Sequence, residues 1–494
     1  MNAEDRSDLK DFFVEKAVLD GVDIGEDTIT FKYLLDGDIN TLKVHYKSLS
    51  LKEPKLTRRD KNALKTFAVS LGVFGFFRFG AVLPAQLDIT KYCGWVHPDL
   101  VKFLEYTIPH EWSEHRYQIQ RLDYKGPEIL YNEKELGAQM RTLPIWKIDS
   151  TQPEKVMLTS GAGKDSLLCA LLLDEAEVRY DVITYLHTYY GGMESQEDLF
   201  SSASNVFNSE NQHVILIYDD YYPWLRERLK RFKVSEQVQK SPVKKQKFRT
   251  EAGEVFFGSM SFIPIQVRYD IGLQVLGNEK SADMPNLVDD ATGEEISHQW
   301  MKSIYAEKEM SDLFGKLFQG IGRVSLLKPF HDVWIFKTLF EKAGDKVYTT
   351  YSCNVKKPWC GLCEKCAYVF AGFSAFGNHE KTVKAFGKDL FRDEGLIPIW
   401  RQLLGLEGYI PWECVGHPEE VQLYFYKAYS ANITGAAIQL FQQEILERQL
   451  KGKGVDVEKY FNEIEEKYSK VYEEHHYMPD RLWKKVHKIV VPTA

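Results

Sequence analysis

The fold class this sequence predicts is α/β: a parallel-sheet core, preceded by an α+β unit and followed by a helical region clamped by cysteines. Three observations predict it. A short apolar strand, Val156-Met157-Leu158, runs through a Gly-rich turn into a strong helix from Asp165 to Leu173. Further apolar strands alternate with helical segments behind it, which is the pattern of a parallel sheet with crossover helices. Four cysteines (Cys353, Cys360, Cys363, Cys366) then fall close together ahead of a mostly helical tail.

Taken in order, the alternation of Ile29, Phe31 and Tyr33 with Leu42, Val44 and Tyr46 around Asp36-Gly37-Asp38 predicts a β-hairpin. Apolar residues at Leu64, Phe67, Leu71 and Phe74 predict a helix within Arg58–Gly80. Pro144 and Pro153 mark a boundary. Val182–Leu186 and Val214–Ile217 read as the next buried strands, Phe256–Ile271 as helix and Leu273–Gly277 as another strand. The basic stretch Lys233–Lys247, with Lys240, Lys244, Lys245 and Lys247, reads as a solvated loop or as a lid over an anionic ligand. Val421–Leu450 and Val455–His475 show helical spacing. At about 150 residues per domain, 494 residues divide into 1–150, 151–345 and 346–494.

Composition excludes several classes. Hydrophobic residues at 44% and aromatics at 13% supply globular cores, which rules out wholesale disorder. With 63 basic against 71 acidic residues the net charge is −8, and no broad nucleic-acid-binding face is expected. The polar, acidic start Met1–Asp8 lacks signal-peptide character. The richest apolar stretch, Phe67–Leu83, is interrupted by Ser70, Gly72, Gly75, Arg78 and Gly80. A cytoplasmic protein without membrane or nucleic-acid partners, acting on a small molecule, is the expectation; the oligomeric state is open.

Two motifs carry chemistry. In Thr159-Ser160-Gly161-Ala162-Gly163-Lys164-Asp165-Ser166 small residues let the backbone close on an anion, and the helix start adds unpaired N–H groups and a positive dipole end. The spacing fits neither a Walker A loop nor a G-x-G-x-x-G dinucleotide fingerprint. An ordinary tight turn, with Asp165 and Ser166 as helix-start residues, is the bland alternative. In Cys353-x₆-Cys360-x₂-Cys363-x₂-Cys366, four thiolates can close a tetrahedral shell, which selects zinc over hard cations. An iron–sulfur cluster is the competing occupant. A closed Cys₄ site is structural, a staple for the helical region. Cys93, Cys169 and Cys414 stand alone.

The Gly161–Ser166 loop resembles the pyrophosphate (PP) loop, Ser-Gly-Gly-x-Asp-Ser, of ATP pyrophosphatases, with Gly161 and Ala162 in place of the Ser and first Gly. The fold this implies is the adenine nucleotide alpha hydrolase-like domain, with ATP bound at Gly161, Ala162, Gly163, Lys164, Asp165 and Ser166. In this reading Lys164 neutralises phosphate, Ser166 donates to it, and Asp165 helps hold Mg²⁺. Loop and cysteine cluster together resemble 7-cyano-7-deazaguanine synthase. More of the chain, most of 27–485, is similar to the ATP-dependent UDP-N-acetylmuramoyl-L-alanyl-L-glutamate epimerase family of peptidoglycan synthesis. That similarity is carried by Gly161–Ser166, Gly277-Asn-Glu-Lys-Ser-Ala282, Ser297-His-Gln-Trp-Met-Lys-Ser303, Trp359–Phe370, Pro411-Trp-Glu-Cys-Val-Gly416 and Pro479–Trp483. It implies adenylation of the terminal L-Glu carboxylate, inversion of the α-carbon and hydrolysis to AMP, diphosphate and the D-Glu product, with ATP, Mg²⁺ and Zn²⁺ as cofactors.

The candidate catalytic residues are Asp165, Glu279, His298 and Lys302. Asn278, Glu279 and Ser281 follow a predicted strand at its C-terminal end, where open α/β sheets place ligands. His298 and Lys302, four apart, are expected on one helix face, able to bind carboxylate or phosphate. Capping Glu, satisfied His and solvated Lys are the bland readings of these. Asn278, Ser281, Gln299, Ser303 and Arg78 are the candidate substrate contacts. Cys414 reads first as a core thiol, with a proton-carrier role as the alternative. Phe76-Phe77-Arg78 and Phe262 depart from the family pattern in ways that touch substrate recognition. Two alternatives stay open: a deazaguanine-type ligase forming a nitrile or amide, and a non-catalytic nucleotide-binding protein.

Overall fold

The computed structural model describes residues 9–491 except 54–55, 57–60, 141–153, 235–247, 291, 299 and 354. The expected boundary near 150, Lys240, Lys244, Lys245 and Lys247 of the basic stretch, and Gln299 therefore lie outside the described residues.

The alternation near the N-terminus becomes three antiparallel strands, β1 (Lys16–Ile24), β2 (Thr28–Leu35) and β3 (Asp38–Tyr46). Alternate residues of β2 are buried, so every second side chain joins the core. Asp36 and Gly37 both take positive φ, which closes the predicted hairpin. The short strands β4 (Gln86–Asp88) and β5 (Glu128–Leu130) add in parallel beside β1.

The α/β part supplies β6 (Lys155–Thr159), β7 (Arg179–His187), β8 (Gln212–Asp219) and β9 (Leu273–Leu276). A separate two-stranded pair, β10 (Leu287–Val288) and β11 (Glu295–Ile296), follows, and then β12 (Gly322–Ser325). The main sheet runs β12-β9-β6-β7-β8-β3-β2-β1-β4-β5, all in one layer. Its pairings are parallel except β1–β2, β2–β3 and β3–β8, so the N-terminal strands extend the same sheet that carries the Gly-rich turn. From β6 the chain winds one way to β7 and β8, and β9 and β12 lie on the other side. The order reverses between β6 and β9. The C-terminal ends of that pair form the crevice where open α/β sheets take ligands.

Beside the sheet, the buried faces of helices Lys164–Glu175, Asp332–Ala343 and Glu364–Phe376 share a hydrophobic core with the C-terminal helices. The structure thus shows a mixed α/β fold with a large, mostly parallel sheet and a helical C-terminal region.

Two expected helices are broken and a third is shorter than expected. Phe256–Ile271 divides into Glu254–Ser261 and Ile263–Tyr269, because Pro264 cannot donate within a continuing helix but suits a new helix start. Val421–Leu450 divides after Ser430 and restarts at Ala436. Between them Gly435 passes so close to Phe391 that a Cβ would lie 2.4 Å from its carbonyl oxygen. The last pattern holds as helix from Val457 only to Ser469.

The run Asn62–Val82 has the length and mean hydropathy (1.3) of a membrane span, despite the interruptions that argued against one. Its burial, 94% inside the protein, is that of a core helix.

Candidate active site

The loops after β6 and β9 meet across the crevice. Gly277 makes that approach possible: a Cβ there would lie 3.0 Å from the Cβ of Asp165. A cavity of about 330 Å³ opens above them, lined by Ser160, Gly161, Gly163, Asp165 and Ser166 from the first loop and Asn278 and Glu279 from the second. Its other walls include Tyr185, Tyr190, Glu111, Glu254, Lys302, Lys365 and Cys414.

In the first loop Ala162 takes φ +59 and is held there, its carbonyl accepting from Tyr351 N at 3.0 Å. A Cβ on Gly163 would meet Ser352 Oγ at 2.9 Å, whereas one on Gly161 would meet nothing. Gly161 therefore leaves its backbone open to a ligand at the start of the helix, as an anion site requires. Ser160, which spacing passed over, lies at the loop entrance, where its Oγ accepts from Ala162 N at 3.1 Å. Ser166 donates to Gly163 O at 3.0 Å.

Lys164 turns away from the loop mouth. Its buried ammonium bonds Asp165 Oδ1 at 2.6 Å and Asp332 Oδ1 at 2.5 Å, and Tyr368 donates to the other Asp332 oxygen at 2.7 Å. Burial alone would lower the lysine, but Asp165 and Asp332 hold it charged well above its usual range. Glu279 is pushed up, first by burial and then by the charges of Asp332 and Asp165. Three carboxylates thus face one lysine, an excess of anionic oxygen beside the loop. Of the three, Asp165 and Glu279 line the cavity. Asn278 Nδ2 is buried without a hydrogen-bond partner among the described residues, a donor left for a ligand.

His298 and Lys302 do not share an α-helix. His298 sits in a turn after β11 and Lys302 ends the 3₁₀ turn Trp300–Lys302, yet both converge on Cys414. Lys302 Nζ lies 3.0 Å from Cys414 Sγ. The His298 ring bonds the same thiol, and its Nδ1 meets Glu114 Oε2 at 2.5 Å. Burial would neutralise His298, but Glu114 and Cys414 lift it to about 10. Burial would likewise raise Cys414, but Lys302, His298 and Lys365 hold it below the ordinary thiol range. Lys365 also donates to the Cys414 carbonyl.

The remaining candidates lie off the cavity. Ser303 caps helix Ile304–Leu317, accepting from Ala306 N at 3.2 Å. Ser281 occupies a buried network, 3.0 Å from both His331 Nδ1 and Glu420 Oε2. Arg78 is buried in the N-terminal part, 3.4 Å from Asp219 and stacked on Tyr33 and Phe79.

Asp332 and Glu254 gave no sequence signal, because only the fold brings them to the loops. Glu254 accepts from Tyr190 at 2.5 Å and Tyr185 at 3.1 Å, and burial lifts its carboxyl to about 7. Glu111, bonded by Gly253 N and Met301 N, is likewise lifted by burial to about 7.

The four clustered cysteines converge. Cys353 and Cys363 sulfurs stand 3.8 Å apart and those of Cys360 and Cys366 3.7 Å. Thiolates on a tetrahedron around zinc, at about 2.3 Å from the metal, stand about 3.8 Å apart. Val355 N and Lys356 N point at Cys353 Sγ and Leu362 N at Cys360 Sγ, stabilising thiolate charge. The group could hold a zinc ion.

The site belongs, then, to an α/β protein with a Gly-rich loop at the switch point of its sheet and a Cys₄ cluster behind it. Comparison with known proteins finds similarity to one family over part of the chain. The model for the MurL N-terminal domain matches residues 258–320, and that for the MurL C-terminal domain matches 345–451. The UDP-N-acetyl-alpha-D-muramoyl-L-alanyl-L-glutamate epimerase of Salinispora tropica is 36% identical over 174 residues, 33% of this chain and 36% of the relative. The protein of the same name from a Micromonospora species is 38% identical over 161 residues, 30% and 35% of the two chains. That of Xanthomonas oryzae pv. oryzae is 30% identical over 156 residues, 30% and 34%. The aligned part spans about a third of each relative's length. No solved structure matches. Both domain models and these relatives carry one family name, and the chain is MurL-like. Glu279, His298, Lys302, Cys414 and the four clustered cysteines all fall in the two matched segments; the loop 159–166 lies outside them.

Proposed function

We propose that this chain is an ATP-dependent epimerase. It adenylates the terminal L-Glu carboxylate of UDP-MurNAc-L-Ala-L-Glu, inverts the α-carbon, and hydrolyses the adenylate to the D-Glu product, AMP and diphosphate. A soluble nucleotide substrate also suits the cytoplasm. The substrate is taken from the names of the relatives. One observation carries the chemistry: a single cavity joins an anion loop and a carboxylate pair to a thiol flanked by two cations.

The chemistry needs both halves. Removing the α-proton of a free glutamate carboxylate would put a second negative charge beside the first. As a mixed anhydride with AMP the acyl group has lost its charge and its carbonyl can delocalise a carbanion, which brings proton removal within reach of a side chain near neutral pH. In this reading the open backbone at Gly161 and the start of helix Lys164–Glu175 receive the ATP phosphates. Asp165 and Glu279 would hold Mg²⁺, which supplies charge neutralisation to phosphate oxygens. Lys164, locked between Asp165 and Asp332, fixes those carboxylates in place. The Cys₄ group, occupied by zinc, staples the helical region beside Lys365 and so supports the cavity wall.

The test is diphosphate release from ATP and Mg²⁺ against a panel of muramyl peptides and deazaguanine acids, with Asp165→Ala as control. Release confined to the L-Glu nucleotide and absent in the variant is expected. Release that depends on ammonia and a deazaguanine acid would instead make the protein a nitrile- or amide-forming ligase.

A further inference from the structure

Inversion needs a group that removes the α-proton, and Cys414 is the cavity thiol among the described residues. Of the three solitary cysteines, Cys93 and Cys169 are buried away from the cavity, and burial drives Cys169 well above the ordinary thiol range. Cys414 lines the cavity that also holds the anion loop and Glu279. It does not have the surroundings of a core thiol. Lys302 Nζ is 3.0 Å from its sulfur, the His298 ring bonds it, and Glu114 braces His298 from behind at 2.5 Å. The backbone is pinned as well, with Cys414 N donating to Glu413 Oε1 at 3.0 Å and Lys365 donating to the Cys414 carbonyl. Two cations around one sulfur favour the thiolate, the basic form of cysteine.

His298, Glu413 and Cys414 also place one donor atom each within 4.8 Å of one another, a spacing a metal could use. Lys302 argues against that occupant, because its ammonium already supplies positive charge at the sulfur.

Resting on the epimerase reading above, we propose that Cys414 is one of the two proton carriers of the inversion, with Lys302 and His298 as the residues that position and charge it. The thiolate takes the α-proton of the acyl-adenylate. The C–H bond breaks, an S–H bond forms, and the electron pair passes to the acyl carbonyl oxygen. A second, protonated acid of the cavity returns a proton to the opposite face as the pair comes back to carbon. Glu254 and Glu111 are the lining carboxyls available for that step. The thiol and the new carboxylate then re-equilibrate with water, so no oxidant or reductant is needed.

The experiment compares Cys414→Ser with the wild type in three readouts: substrate-dependent exchange of diphosphate into ATP, incorporation of solvent deuterium at the glutamyl α-carbon, and D-Glu formation. Cys414→Ser should keep diphosphate exchange within about threefold while α-deuteration and D-Glu formation fall at least about 100-fold. In the wild type, iodoacetamide labelling mapped to Cys414 should abolish inversion, spare diphosphate exchange and be slowed by substrate, which gives a reading even if the variant does not fold. Undiminished inversion in Cys414→Ser, loss of diphosphate exchange together with inversion in a folded variant, or inversion abolished by chelation of a metal bound at His298, Glu413 and Cys414 would each overturn the assignment while leaving the epimerase reading standing. A wild type with no diphosphate exchange on the L-Glu nucleotide would remove the epimerase reading, and this assignment with it.

Discussion

Lys302 and Cys414 are 112 residues apart in the chain and 3.0 Å apart in space, the ammonium donating to the sulfur. The contact joins the two segments that match the MurL domain models, since Lys302 lies in the first and Cys414 in the second. His298, from the first segment, completes the cluster with Glu114 behind it.

The charge on His298 makes a pH-dependent prediction. Glu114 and Cys414 lift the ring to about 10, above the ordinary histidine value of about 6.5. A raised value means that the folded state holds the proton more tightly, so the stabilisation is fully present below about pH 6.5 and is lost as pH rises towards 10. The difference in melting temperature between wild type and His298→Gln should therefore be largest near pH 6 and shrink by pH 9.5. Thermal melts of both proteins across that range check it. A difference that grows with pH would refute the charged histidine.

Gly277→Ala should act on the loop rather than on the fold. The added Cβ would press on the Asp165 side chain at 3.0 Å, and the neighbour must give by a few tenths of an ångström. With Asp165 as the proposed Mg²⁺ ligand, displacing its carboxylate by that much should lower diphosphate release about tenfold, equivalent to about 1.4 kcal/mol in the transition state. The melting temperature should move little.

The Cys₄ group predicts one zinc per chain by elemental analysis. Cys363→Ser should release it and lower thermal stability by several kcal/mol, because metal-binding energy is folding energy in a closed thiolate site. Diphosphate release should fall only as far as the folded fraction falls. Iron and sulfide in place of zinc would show that the cluster is of the other kind.

How far the sequence was legible depends on how local each feature is. The hairpin at Asp36-Gly37, the strand Lys155–Thr159 with its helix, and the cysteine spacing all follow from neighbours within a few residues, and all are present. The breaks at Phe262 and Gly435 have different origins. Pro264 was a visible local signal, whereas the close pass of Phe391 by Gly435 is a tertiary fact. The same division runs through the site. Asp165 was legible from the Gly-rich turn ahead of a helix, and Glu279 from its place after a predicted strand. Asp332, Glu254 and the surroundings of Cys414 were not, because each depends on a chain crossing far away in sequence. Cys414 looked like a core thiol for that reason, since its cations come from residues 298, 302 and 365.

The central claim is that one cavity couples adenylation to inversion. The most direct measurement incubates the purified protein with ATP, Mg²⁺ and UDP-MurNAc-L-Ala-L-Glu, then counts AMP against D-Glu released by hydrolysis of the product. The account predicts that AMP and D-Glu accumulate together, near one to one, and that neither forms without the other substrate present. AMP formed with the glutamate left entirely in the L configuration would contradict it.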